Sequence, residues 1–253
     1  MTDGSTTIHD SETTGDSRGL GTPDGSVLTV LPISGGPEAA EYDQRRSRFL
    51  GYAFPMRSAD QMAGIVSRIR HEHDGARHVV HAAVLAGDGT ESRSVSIHMN
   101  DDGEPSGTAA RPILDVLRAR RIENGLVVVV RYFGGVLLGA PGLVRAYSAA
   151  ASAALDQARL AALVPFRRYH VILPYAFLDQ LDHLATRAGG HRESCSYSDH
   201  VEGEVVVPDA VAKAFSEAVV RGSAGRVVPE DRGVVREAVP LPEDDAASEG
   251  GMA

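Results

Sequence analysis

The chain has 253 residues, 43% of them hydrophobic, which is enough for one or two buried cores. No stretch reaches the ~20 uncharged apolar residues of a spanning helix, and the opening MTDGSTTIHD lacks the basic and apolar regions of a signal peptide. A single cysteine, Cys195, excludes an internal disulfide and a cysteine-based zinc site, so the expectation is a cytoplasmic protein with no membrane contact.

The net charge of −9 sits almost wholly at the ends. Residues 1–25 hold Asp3, Asp10, Glu12, Asp16 and Asp24 against Arg18, and residues 239–253 hold Glu243, Asp244, Asp245 and Glu249 with no base. Both are rich in small and polar residues and read as disordered acidic tails. The body between them is nearly neutral, which argues neither for nor against an anionic partner.

In chain order, VLTVLPIS (27–34) predicts a short strand and RRSRFLGYAFPM (45–56) a second, led by three arginines. SADQMAGIVSRIRHEH (58–73) predicts a helix with Ser58 as N-cap and Met62, Ile65, Val66 and Ile69 on one face, closing near Gly75. RHVVHAAVLAG and SRSVSIHMN read as paired strands around the turn GDGT. RPILDVLRARRI predicts an amphipathic helix ending at ENG, and LVVVV (126–130) a strand buried on both faces. APGLVRAY opens an alanine-rich helix running through SAAASAALDQARLAAL, with Pro141 suited to its start. The second half reads as strand (167–176), helix (177–189, with Leu178, Leu181 and Leu184 inward), strand, turn and strand (192–208). A helix capped by Asp209 and a closing strand (226–239) follow. That βαββαβ order is the ferredoxin-like plait.

Two segments could carry chemistry. DDGEPSGTA (101–109) offers Asp101, Asp102 and Glu104, which could hold a hard cation. Adjacent loop carboxylates need not converge, however, and Gly103 with Pro105 is ordinary turn chemistry, so no metal or cofactor is expected. RYFGGVLLGAPGL (131–143) places Gly134, Gly135, Gly139 and Gly142 between a buried strand and a helix start, where free N–H groups favour an anion. The spacing is neither GxGxxG nor a P-loop, and glycine serves close packing equally well. Arg145, placed in the first turn of that helix, opposes the macrodipole and should have a negative neighbour, either a loop carboxylate or a phosphate. Arg131 can join either arrangement. The expectation is one continuous site, with Asp101, Asp102 or Glu104 within ~6 Å of Arg131 or Arg145.

Other constellations are weaker. HEHDGARHVVH lacks HExxH, because Gly75 stands where the second histidine would be. His78 and His81 face opposite sides of a strand, and either alone could transfer a proton. Ser106 lacks the GxSxG elbow, so catalytic residues remain unassigned. Arg111, Arg118, Arg120 and Arg121 fit either phosphate contacts or a solvated helix face.

The segments RRSRFLGYAF, ARHVVHA, DDGEPSGTA, VVVVRYFGGVLLG and GLVRAY, in this order, resemble the signature of the YigZ/IMPACT family over about Val27 to Ala238. Pro141, Ala110 and Val79 differ from the family pattern, which has glycine at the first, often glycine at the second and histidine at the third. The resemblance implies an α+β protein of two domains. One is an N-terminal ribosomal-protein-like β-α domain (26–164); the other is a C-terminal ferredoxin-like βαββαβ plait (165–238), similar to domains of elongation factor G. It also implies a setting in translation. Eukaryotic relatives regulate translation by binding a kinase activator, and bacterial ones look associated with nucleic acid or the ribosome. The expected function is non-catalytic binding of RNA, the ribosome or a translation-regulatory protein. The alternative is an enzyme acting on a phosphorylated small substrate. The candidate anion- or RNA-binding set is Asp101, Asp102, Glu104, Arg131, Tyr132, Gly134, Gly135, Gly139, Gly142 and Arg145.

Overall fold

A computed structural model describes residues 6–9, 27–86 and 94–241. The GDGT turn and most of both acidic ends lie outside the described residues. The described chain is α+β and divides into two compact units, one holding the described residues up to Ala86, Ser94–Ala162 and those from Ala238 on, the other Leu163–Glu237, so the strands at the boundary have their outer ends in the first unit.

The first unit contains β1 (Thr6–His9), β2 (Leu28–Val30), β3 (Ala40–Gln44), β4 (Ser47–Pro55), α1 (Ala59–Glu72), β5 (His78–Ala86), β6 (Val95–Asn100), α2 (Ala110–Ala119), β7 (Gly125–Tyr132) and α3 (Ala140–Gln157). Its six-stranded sheet runs β1-β6-β5-β7-β4-β3, antiparallel at every pairing. The valine run in β7 is buried on both faces, and its two-residue period decides which core each side chain joins. Val127 and Val129 pack with Phe49, Val80, Ile113 and Leu117 beneath α2 and α3. Leu126, Val128 and Val130 pack with Leu50, Phe54 and Ile69 beneath α1. The alanines of α3 let it lie directly on β4: a Cβ on Gly51 would come 2.5 Å from the Ala150 carbonyl oxygen.

The second unit follows the βαββαβ order with β8 (Leu160–Leu173), α4 (Leu178–Arg187), β9 (His191–Tyr197), β10 (Val201–Pro208), α5 (Ala212–Gly222) and β11 (Glu230–Pro240). The strand order β11-β8-β10-β9 is that of the ferredoxin-like plait. Leu181 and Ala185 of α4 and Phe215 and Val219 of α5 cover Tyr169, Val171, Val205 and Val207, which fill one face of the sheet.

Several expectations are corrected. The alanine-rich helix stops at Gln157, and RLAAL opens β8, whose first residues Leu160–Ala162 pair with β2. Backbone pairing there overrides the helical propensity of the sequence. Ser58 stands at the N-cap of α1 without a side-chain cap bond, and Gln61 Oε1 instead accepts from the Arg57 N–H. A single 3-10 turn (Asp209–Val211) precedes α5, so Val211 takes its N-cap position and the Asp209 carboxylate pairs with Arg167 at 2.7 Å. The supposed tails also contribute structure. Thr6–His9 pairs with β6, β11 continues to Pro240, and Leu241 packs on the first core while donating its N–H to Leu160. Strand β3 has no counterpart in the sequence reading. Among the described residues no helix is long and apolar enough to cross a membrane.

Candidate functional site

The loop between β6 and α2 folds back on the strands beside it, and each of its three carboxylates has a separate task. Asp101 caps α2 from a distance: its oxygens accept from the N–H groups of Gly107, Ala109 and Ala110 at 2.9, 3.2 and 2.8 Å. Ala109 at the N-cap has no side-chain acceptor, so these otherwise unpaired donors need an outside carboxylate. Asp102 has φ 45° and donates its backbone N–H to Asn100 Oδ1. Its carboxylate accepts from the Val79 N–H at 2.6 Å and pairs with Arg70 at 2.6 Å.

Glu104 points inward, with only 3% of its side chain exposed. Its Oε1 accepts from Arg131 Nη1 at 2.6 Å and from the Tyr147 hydroxyl at 2.8 Å. Burial, and next the Glu104 charge, push the Tyr147 phenol well above its usual range, so it remains a donor. Arg131 is itself buried between the rings of Phe49 and Phe133, its guanidinium carbon 5.5 and 5.4 Å from their centroids. Its Nη2 reaches Ser47 at 3.4 Å, while its buried Nε has no hydrogen-bond partner among the described residues. The two π faces offset part of that desolvation. His78 closes the cluster. Its Nδ1 lies 2.8 Å from the Asp102 carbonyl, which only accepts, so Nδ1 is the donor there. Its Nε2 lies 3.8 Å from Glu104 Oε1.

The acidic loop thus meets the strand that leads into the Gly-rich turn, through Glu104 and Arg131. Arg145 takes no part. It is exposed, sits in the second turn of α3 rather than the first, and pairs with no described residue, so the dipole argument for a partner does not apply to it. Tyr132 points to the opposite face of the sheet, where its hydroxyl meets His73 Nδ1 at 2.8 Å and His73 Nε2 meets the Tyr52 hydroxyl at 2.7 Å. Gly134 is a packing glycine, because a Cβ there would overlap the Arg46 carbonyl. Gly135 and Gly139 supply backbone turns with φ 82° and 68°, and Gly142 is buried beside Leu138. The helix arginines are engaged within the protein: Arg111 with Asp115, Arg120 with Asp156, and neither Arg118 nor Arg121 is free. Tyr147, Ser47 and Arg70 were absent from the sequence-derived set. Tyr147 and Ser47 had a signal, as the last residue of GLVRAY and the third of RRSRFLGYAF; Arg70 had none.

Above this buried cluster the surface changes character. Phe133, Val136, Leu137 and Val144 are exposed, Leu137 at 80%. The cations Arg45, Arg46, Arg77 and Arg145 are exposed as well: Arg77 lies 5.7 Å over the Phe133 ring, the Arg46 backbone lies against Gly134, and Arg145 follows Val144 in α3.

Fold and site together define a two-domain α+β protein whose acidic loop clasps a buried arginine beneath an exposed Gly-rich turn. Residues 45–155 match the Impact N-terminal domain. The chain is 32% identical over 182 residues to IMPACT family member YvyE of Bacillus subtilis (strain 168), covering 71% of this chain and 82% of the relative. It is 31% identical over 193 residues to IMPACT family member YigZ of Escherichia coli (strain K12), covering 76% and 93%. A crystal structure described as that of a hypothetical protein aligns with a TM-score of 0.56 at 28% identity, covering 86% of this chain and 98% of that one. The chain belongs to the IMPACT family.

Proposed function

We propose that this protein is a non-catalytic binding module acting in translation, through contacts with RNA, the ribosome or a regulatory protein. The observation that carries this reading is the fate of the acidic loop. Asp101, Asp102 and Glu104 are all engaged with groups of the protein itself, so the residues that would have served an enzyme instead hold the fold together. Arg131 and Glu104 neutralise each other below the surface, which leaves Arg131 little to offer a phosphorylated small substrate. The exposed turn and its unpaired arginines remain available to a partner. The family resemblance supplies the setting in translation.

The test is co-sedimentation with ribosomes at low and high salt, comparing the natural chain with Arg45→Glu/Arg145→Glu. The reading expects binding that weakens with salt and is reduced at least tenfold in the variant. Turnover of a phosphorylated substrate, lost in a folded Glu104 variant, would favour the enzyme instead.

A further inference from the structure

We infer that the Gly-rich turn is a docking knob for an acidic protein segment that carries bulky apolar side chains. The inference rests on the binding reading above and names the class of partner. A surface gains nothing from an aliphatic side chain as exposed as Leu137, and here exposed Phe133 and Val136 share its turn and exposed Val144 lies on the helix the turn leads into. The turn is held out by construction. Gly135 and Gly139 adopt positive φ, Gly134 seats the backbone against the Arg46 carbonyl, and the buried Glu104–Arg131 pair fixes the strand from which the turn springs. The turn is thus anchored at its base by Gly134 and the buried ion pair, which limits what must be ordered on association.

Charge selects the occupant. Arg45, Arg46 and Arg145 are exposed and pair with no described carboxylate, and Arg77 is held only over Phe133. An apolar centre with a cationic rim matches an apolar segment with an acidic rim. A second copy docking by two-fold symmetry would set these arginines against their own counterparts. RNA would use the arginines and could stack on Phe133, but it has no use for Val136 and Leu137, since strand-binding surfaces are built from aromatic platforms.

Fluorescence anisotropy with defined probes separates these cases. The probes are a 12-residue peptide alternating Glu with Leu and Phe, the same peptide with Lys for Glu, and a 12-mer oligouridylate, each titrated into the full chain and into Leu137→Asp and Arg45→Glu/Arg145→Glu. The expected result is saturable binding of the acidic peptide, at least tenfold weaker in both variants, with the Lys peptide bound at least tenfold more weakly by the natural chain. Leu137→Asp should keep its melting temperature, because the side chain lies in solvent. Equal binding of the acidic peptide to Leu137→Asp, or no preference over the Lys peptide, would overturn the inference. So would tighter binding of the oligouridylate that survives Leu137→Asp. If the peptides fail while ribosome co-sedimentation persists in Leu137→Asp, this inference falls and the binding reading stands; if neither probe nor ribosome binds, both fall.

Discussion

The buried Glu104 carboxylate takes hydrogen bonds from Arg131 and Tyr147 on the same oxygen, so the three groups depend on one another. The cost of losing one partner therefore exceeds the worth of the pair. Glu104→Ala strands the Arg131 charge in the core and should lower unfolding stability by about 3–5 kcal/mol, measured by urea denaturation. Glu104→Leu with Arg131→Met should recover most of that loss, since removing both charges leaves nothing unpaired. His81, on the α1 side of β5, is the opposite case. Its buried Nδ1 has no partner among the described residues, and burial holds its pKa below the ordinary value, with Arg70 and His98 lowering it further and Asp102 opposing. Above the ordinary value of 6.5 the ring is neutral in both folded and unfolded chains, and its contribution to stability is complete. As pH falls, the unfolded chain takes the proton first, and stability declines until the lower folded-state pKa is passed. His81→Leu should therefore flatten the stability profile below pH ~6.5. At neutral pH it should hold or gain up to about 1–3 kcal/mol by removing an unpaired polar atom.

At the scale of elements, the hairpin between β3 and β4 shows what the sequence hides. Gln44 pairs with Ser47 across a two-residue turn, and Arg45 and Arg46 both have positive φ, 45° and 65°. Turns of this sign favour Asn-Gly, so a pair of arginines gives no warning, and AEYDQ lacks the β-branched run that marks a strand. The long periodic segments were readable because one physical effect dominated each: two-sided burial for β7, an amphipathic stripe for α1 and α2, strand-helix alternation for the plait. The candidate site was readable in its residue types and in the approach of the acidic loop to Arg131, but not in the task of each side chain. Asp101 capping α2 and Ser47 reaching Arg131 are made by chain segments that meet only in the folded protein. RLAAL reads as helix because its partner strand β2 lies far away in sequence. The arginine turn carries its own test. Arg45→Asn with Arg46→Gly should raise stability, by roughly 1–2 kcal/mol if the left-handed cost is relieved. The same change should weaken ribosome co-sedimentation, because it removes two cations from the rim. A more stable protein with undiminished binding would show that these side chains do not contact the partner.

For the whole molecule, charge and fold are separable to an unusual degree. The segments before Val27 and after Leu241 carry eight of the nine net negative charges, and their composition is small and polar. Truncation to residues 27–241 removes the four backbone pairings of β1 with β6 and keeps all the core side chains found among the described residues. Calorimetry should show a melting temperature lowered by a few degrees at most, the shift that about 1 kcal/mol produces in a protein of this size. Association should respond in the other direction. The intact chain repels an acidic partner at long range even though the knob attracts it nearby, so truncation should speed the association of the acidic peptide severalfold at low salt. The two rates should converge near 1 M salt, where screening confines charge effects to ~3 Å. A truncated chain that associates no faster at low salt would place the end charges too far from the knob to act on what binds there.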